Sequence, residues 1–224
     1  MKLKKIASLA LAGIMAVSML AGCKDGSSQE DPSSSSQVPT TTNVVTYAND
    51  ALTGAQKGVF TFKSSSELDT ILQAAANDKS KFTSQEIATS YDGATVVWCG
   101  NNNKDLEDAV KGKVQDNAIV IGQFTGAPAA NGGKDQKIVR VYAVSGAFDE
   151  KTAIKNVIDG FDVNNTEINV ANYPDHVYIG TTAYDAEYAG EISAVKVTSN
   201  DNTAKTSWVV AIVITQSVTE AANV

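Results

Sequence analysis

The chain has 224 residues and a net charge of −7, a length that accommodates one domain of ordinary size. Residues 1–22 hold three lysines and no acid, so the remainder carries 15 basic and 25 acidic side chains, a net charge of −10. A surface of that sign is repelled by nucleic acid and by anionic lipid head groups, which excludes both as charge-driven partners.

The chain opens with Lys2, Lys4 and Lys5, followed by a charge-free apolar run of 15 residues from Ile6 to Leu20. A membrane-spanning helix needs about 20 residues, so this run suits a secretory signal better than a span. It ends on Leu20-Ala21-Gly22-Cys23, a pattern that closely resembles the lipobox of bacterial lipoproteins. The resemblance implies that Leu20, Ala21 and Gly22 are read as the processing signal. It also implies a diacylglyceryl group on the Cys23 thiol, cleavage just before that residue, and palmitate-type acylation. The protein would then sit on the extracytoplasmic face of a bacterial membrane, with the bilayer as its partner through the lipid anchor. Two acyl chains give lasting attachment where one is marginal, at about 0.8 kcal/mol per buried CH₂.

Lys24 to Asn43 reads KDGSSQEDPSSSSQVPTTTN. It is polar, Ser/Thr-rich and without an apolar period, and it cannot bury enough surface to offset its ordering entropy. The expectation is a disordered tether over 23–43, with a root-mean-square reach of roughly 25 Å. A single domain is expected over 44–224. If Cys23 is lipidated, Cys99 has no intramolecular partner. A disulfide framework and a four-cysteine metal site are thereby excluded. Cys99 follows Val96-Val97-Trp98 and reads as an inert thiol at the end of a buried strand.

Tyr47–Gln56 leaves helix and strand both open, and Val59 to Phe62 alternates as a short strand. Ser64-Ser65-Ser66-Glu67 offers a capping box on Ser64, and Leu68, Ile71, Leu72 and Ala75 follow as a helical stripe. Thr83–Glu86 is a second capping box. Asp92-Gly93 marks a turn before a buried strand, Ala94–Trp98. Asn101–Asn103 is loop, and Lys104–Val114 is a helix with Leu106 and Val110 inward. Ala118–Phe124 is an apolar strand, and Thr125–Asp135 a loop with Gly and Pro. Lys137–Val144 is a strand. Asp149 caps a helix through Ile158 that Gly160 ends. Thr166–Val170 and His176–Ile179 are short strands. Glu191–Val197 and Trp208–Ile214 pair as a hairpin across the polar turn Ser199–Lys205. Together these predict an α+β fold, with helices packed on a largely antiparallel sheet.

The order of elements resembles that of secreted CAP/SCP-like domains over about Val44 to Ser217. It rests on a helix such as Lys151–Ile158, the Pro174-Asp175-His176 segment, and the hairpin of Ile192–Val197 with Trp208–Ile214. The resemblance implies an α-β-α sandwich acting in adhesion or signalling. The family's paired-histidine cavity cannot be built from His176, the one histidine.

No catalytic cofactor or metal is expected. There is no Gly-x-Ser-x-Gly elbow, no His-Glu-x-x-His and no Gly-rich phosphate loop. Asp162–Glu167 starts like a calcium loop, but position six is not glycine and position twelve is Tyr173. Tyr184 and Tyr188, among Asp185, Glu187 and Glu191, read as an exposed acidic-aromatic loop able to stack on a sugar or peptide. The resulting expectation is a non-catalytic binding domain for a peptide, glycan or protein ligand. A wall-active enzyme working through carboxylates alone is the remaining alternative.

Overall fold

The computed structural model describes residues 41–78, 82, 83, 85, 96–115, 119–122, 124, 135–164 and 172–221. The expected lipobox and most of the tether lie outside them. So do most or all of the features expected at Thr83–Glu86, Asp92-Gly93, Thr125–Asp135 and Thr166–Val170. Asp162 to Asn164 end a helix, and the rest of the calcium-like stretch is outside the description.

Helix α1 (Thr41–Ala51) begins inside the expected tether. Its Thr, Asn and Val content favours helix only weakly. Packing decides the matter, because Val44, Ala48 and Leu52 recur four residues apart and are all buried. Helix α2 (Gly54–Val59) is set by a Thr53–Gln56 capping box, in which each side chain accepts from the other's backbone N–H. Val59 therefore belongs to a helix, and strand β1 is only Phe62–Lys63. The Asn49 amide pairs with Phe62 like a neighbouring strand, donating to its carbonyl at 3.0 Å and accepting from its N–H at 2.8 Å.

Helix α3 (Ser66–Ala76) is capped by Ser65, one residue later than expected, through Leu68 N–H donating at 3.2 Å. Strand β2 is Val97–Trp98, half-buried rather than buried. Cys99, expected at a strand end, opens a helical turn, α4 (Cys99–Asn102), which runs into the expected loop Asn101–Asn103. Helix α5 (Lys104–Val114) has the expected bounds, with acids in its first turn and lysines in its last, which complement the helix dipole. Strand β3 shrinks to Ile119–Ile121 and β4 spans Gln136–Ser145. Helix α6 (Glu150–Asn164) starts at the expected Asp149 cap, where Thr152 N–H donates at 2.9 Å, but runs on through Gly160. Strands β5 (His176–Ile179), β6 (Thr182–Thr198) and β7 (Thr206–Glu220) complete the sheet.

The fold is α+β, built on a mixed seven-stranded sheet in the order β1-β6-β7-β4-β2. Strand β3 runs parallel along the first half of β4 and β5 runs antiparallel along the start of β6. One face carries Ile138, Tyr142, Val144, Ile192, Val210, Ile212 and Ile214 against Val44 and Ala48 of α1 and Ile154, Val157 and Ile158 of α6. The other carries Val139, Val141, Val209, Ala211 and Val213 against Leu68 and Leu72 of α3 and Leu106, Val110 and Val114 of α5. Because both faces are covered, the middle of β7 reads as an unbroken apolar run, and that of β4 is interrupted only by Arg140. Each such aliphatic side chain contributes about 1.5–3 kcal/mol on burial.

Candidate binding surface

Strands β6 and β7 extend past the first residue of β4. Their register continues from Tyr188–Gln216 to Tyr184–Glu220, whereas β4 starts at Gln136 opposite Gln216. Among the described strands, the projecting end is therefore formed by β5, β6 and β7. The β5–β6 connection is Gly180-Thr181, with Gly180 at φ +62°. A two-residue hairpin with glycine first is the demand of a type II′ turn, whose twist matches that of the flanking strands.

The stretch Tyr184–Glu191, expected as a loop, is the first half of β6, so its side chains alternate between two faces. Tyr184 and Tyr188 share the face turned toward α1 and α6. Tyr188 is half-buried among rings, 4.9 Å from Tyr173 and 5.6 Å from Phe124 between centroids. Its hydroxyl donates to the Pro174 carbonyl at 3.2 Å and accepts from Gln216 Nε2 at 3.0 Å. Burial pushes the Tyr188 phenol up, partly offset by the Gln216 contact. Tyr188 thus clamps the entry into β5. Tyr184 is half-buried, paired with Val177 on one side and Glu220 on the other.

The opposite face of the same end is open. Tyr178 is 58% exposed, the only large hydrophobic so exposed among the described residues. Beside it, His176 Nδ1 lies 2.9 Å from Asp185 Oδ1, both side chains being more than half exposed. Sequence reasoning passed over Tyr178. The signal was present in the alternation His176-Val177-Tyr178, which puts buried Val177 inward and its two neighbours outward.

A second polar cluster sits inside the molecule. Strand β3 covers β4 at Gln136–Ile138 and β2 at Tyr142–Ala143, and no other described strand covers the edge between them. The fully buried Glu107 of α5 fills that gap. It accepts from Val141 N–H at 3.1 Å and from Trp98 Nε1, and it pairs with Lys111. Arg140 donates to the carbonyls of Gly122 and Val139, and its guanidinium lies 5.2 Å from the Trp98 ring centroid. Burial, with the Glu107 charge adding to it, pushes the Cys99 thiol up to about 12. A thiol so held is protonated at neutral pH and is no nucleophile. The cluster's geometry is that of a stitch in the sheet. A groove of about 320 Å³ runs alongside between α5 and β3, lined by residues including Lys111, Gln115 and Gly122.

Asp69 on α3 is a carboxyl opposed by its setting. Burial pushes its pKa up, and a contact with Ser193 offsets part of that. The folded state therefore holds this proton more tightly than the unfolded chain. The resulting stabilisation is complete below the unfolded value of 3.8 and is lost as pH rises through the raised folded value. Asp69→Asn is expected to raise the urea midpoint at about pH 7 and to leave it nearly unchanged at about pH 3.

Among the described residues no three His, Cys, Asp or Glu side chains are grouped to hold a metal ion, and no helix is long and apolar enough to cross a membrane. The architecture so defined is a sheet of mixed direction between two helical layers. No protein-family model, no curated protein and no solved structure matches this chain.

Proposed function

We propose that this protein is a lipid-anchored, non-catalytic binding domain displayed on the extracytoplasmic face of a bacterial membrane. The observation that carries the reading is Leu20-Ala21-Gly22-Cys23 at the end of a basic, then apolar leader. The polar stretch that follows supplies a tether of the kind that lifts a domain off the lipid heads. The β5–β6–β7 end supports a binding role, since it puts an exposed aromatic beside polar and acidic side chains at the free end of the sheet. Tyr184 and Tyr188 serve that end from beneath, as supports of the hairpin.

Cys23→Ser is expected to abolish incorporation of radiolabelled palmitate and to move the protein from the membrane fraction to the soluble one. Retention in the membrane would overturn the anchor. A hydrolase activity lost on Cys99→Ser or His176→Ala would overturn the non-catalytic reading. Helices on both sides of the sheet also support kinship with CAP/SCP-like domains in adhesion or signalling. In that reading the family's paired-histidine cavity is not carried over, since His176 is the one histidine.

A further inference from the structure

The phase of the β5–β6 ladder identifies which backbone groups of β5 face outward. Ala186 N–H donates to the Asp175 carbonyl at 2.8 Å. Hydrogen-bonded and non-hydrogen-bonded pairs alternate along an antiparallel ladder. Asp175–Ala186, Val177–Tyr184 and Ile179–Thr182 are therefore the bonded pairs. His176 and Tyr178 consequently turn their N–H and C=O groups away from β6, and these groups bond no other described residue. The result, among the described residues, is an open strand edge, bounded by Pro174 at one end and the Gly180 turn at the other.

The charge around this edge has one sign. Asp175, Asp185, Glu187 and Glu220 are all exposed, and residues 172–190 and 216–221 contain no lysine or arginine. A second copy of this acidic chain would be repelled at such an edge, whereas a basic segment would be drawn to it. Strand addition also matches the available groups, because main-chain pairing supplies affinity while alternate side chains supply selectivity.

We propose that the outer edge of β5 accepts an extended, lysine- or arginine-bearing segment of a partner protein as an added strand. The segment pairs with the backbone of His176 and Tyr178. Its basic side chains lie over the Tyr178 ring and reach toward Asp185. This deepens the binding function proposed above and rests on it.

The test uses the full lipidated chain in nanodiscs and a fluorescent Lys-Val-Lys-Val-Lys-Val peptide. Binding is read by anisotropy, and hydrogen exchange is followed over residues 176–179. Two control peptides carry glutamate for lysine, or N-methyl groups at every residue so that neither edge can donate. The lysine peptide is expected to bind about tenfold more tightly than either control and to slow exchange at His176 and Tyr178. Asp185→Asn should weaken it at least about threefold. Equal binding of the N-methylated peptide would overturn strand addition. Protection of these amides without peptide, with a doubled mass, would overturn it in favour of a second copy. No binding up to about 1 mM would sink this inference while palmitate labelling at Cys23 still stood, and loss of labelling alone would sink only the anchor.

Discussion

Glu107→Ala is expected to destabilise the fold by about 3–4 kcal/mol, most of it from donors that lose their acceptor. The carboxylate sits where no described strand covers β4, and it serves Val141 N–H, Trp98 Nε1 and Lys111 together. Alanine removes all three contacts and leaves a void beside Leu106 and Val110. Lys111 is 27% exposed and can turn to water, so the stranded cation adds little. The backbone N–H of Val141 has no such escape, because its residue is fully buried. Glu107→Gln keeps an acceptor oxygen and should cost about a third as much. Urea unfolding at constant slope measures both. The charge has a second reporter, since Glu107 adds to the upward shift of Cys99. In Glu107→Gln the thiol should therefore titrate lower and label faster in alkali. A loss under about 1 kcal/mol for Glu107→Ala would mean the gap in the sheet is held by other groups.

That residue also marks where sequence reading stops. The bounds of α5 were legible because its apolar stripe and its end charges agree with each other. Glu107 lies on the same stripe, three residues before Val110, yet nothing distinguishes it from the other 24 acids until β4 is found beneath it. The central strands are legible because burial on both faces makes them almost wholly apolar, Arg140 excepted. Strand β6 is legible only from Glu191, because its first half extends past the start of β4 and alternates acids with Ala, Gly and Tyr. A half-exposed strand of that composition looks like a loop when taken alone. Helix α1 was missed for the converse reason, since its residues favour helix only when Val44, Ala48 and Leu52 have a sheet to pack on. At the candidate surface the sequence shows the tyrosines but not their direction. Direction depends on strand parity, and parity was known only once the loop became a strand. The outward-facing aromatic is thus Tyr178, while Tyr188 supports the hairpin from within.

Gly146→Ala should be the other large loss, about 3 kcal/mol or more, because the obstacle is backbone. Gly146 follows the last residue of β4 and donates its N–H to the Thr206 carbonyl at 3.0 Å, closing the end of the β4–β7 ladder. A Cβ there would lie 2.2 Å from Thr206 Oγ1, and 2.5 and 2.6 Å from the Thr206 carbonyl carbon and oxygen. Rotation of the threonine relieves the first contact. Relief of the other two requires the strands to part, which breaks the Gly146–Thr206 bond and strains the neighbouring Ser207 Oγ to Val144 carbonyl bond at 2.9 Å. For a domain of this size the loss corresponds to a fall in Tm of about 6–12 °C. A double-mutant cycle separates the two obstacles. If the backbone dominates, Thr206→Ala in the Gly146→Ala background should recover less than about a third of the loss. Near-complete recovery would place the clash in the hydroxyl instead, and the end of β4 would then tolerate a side chain at position 146.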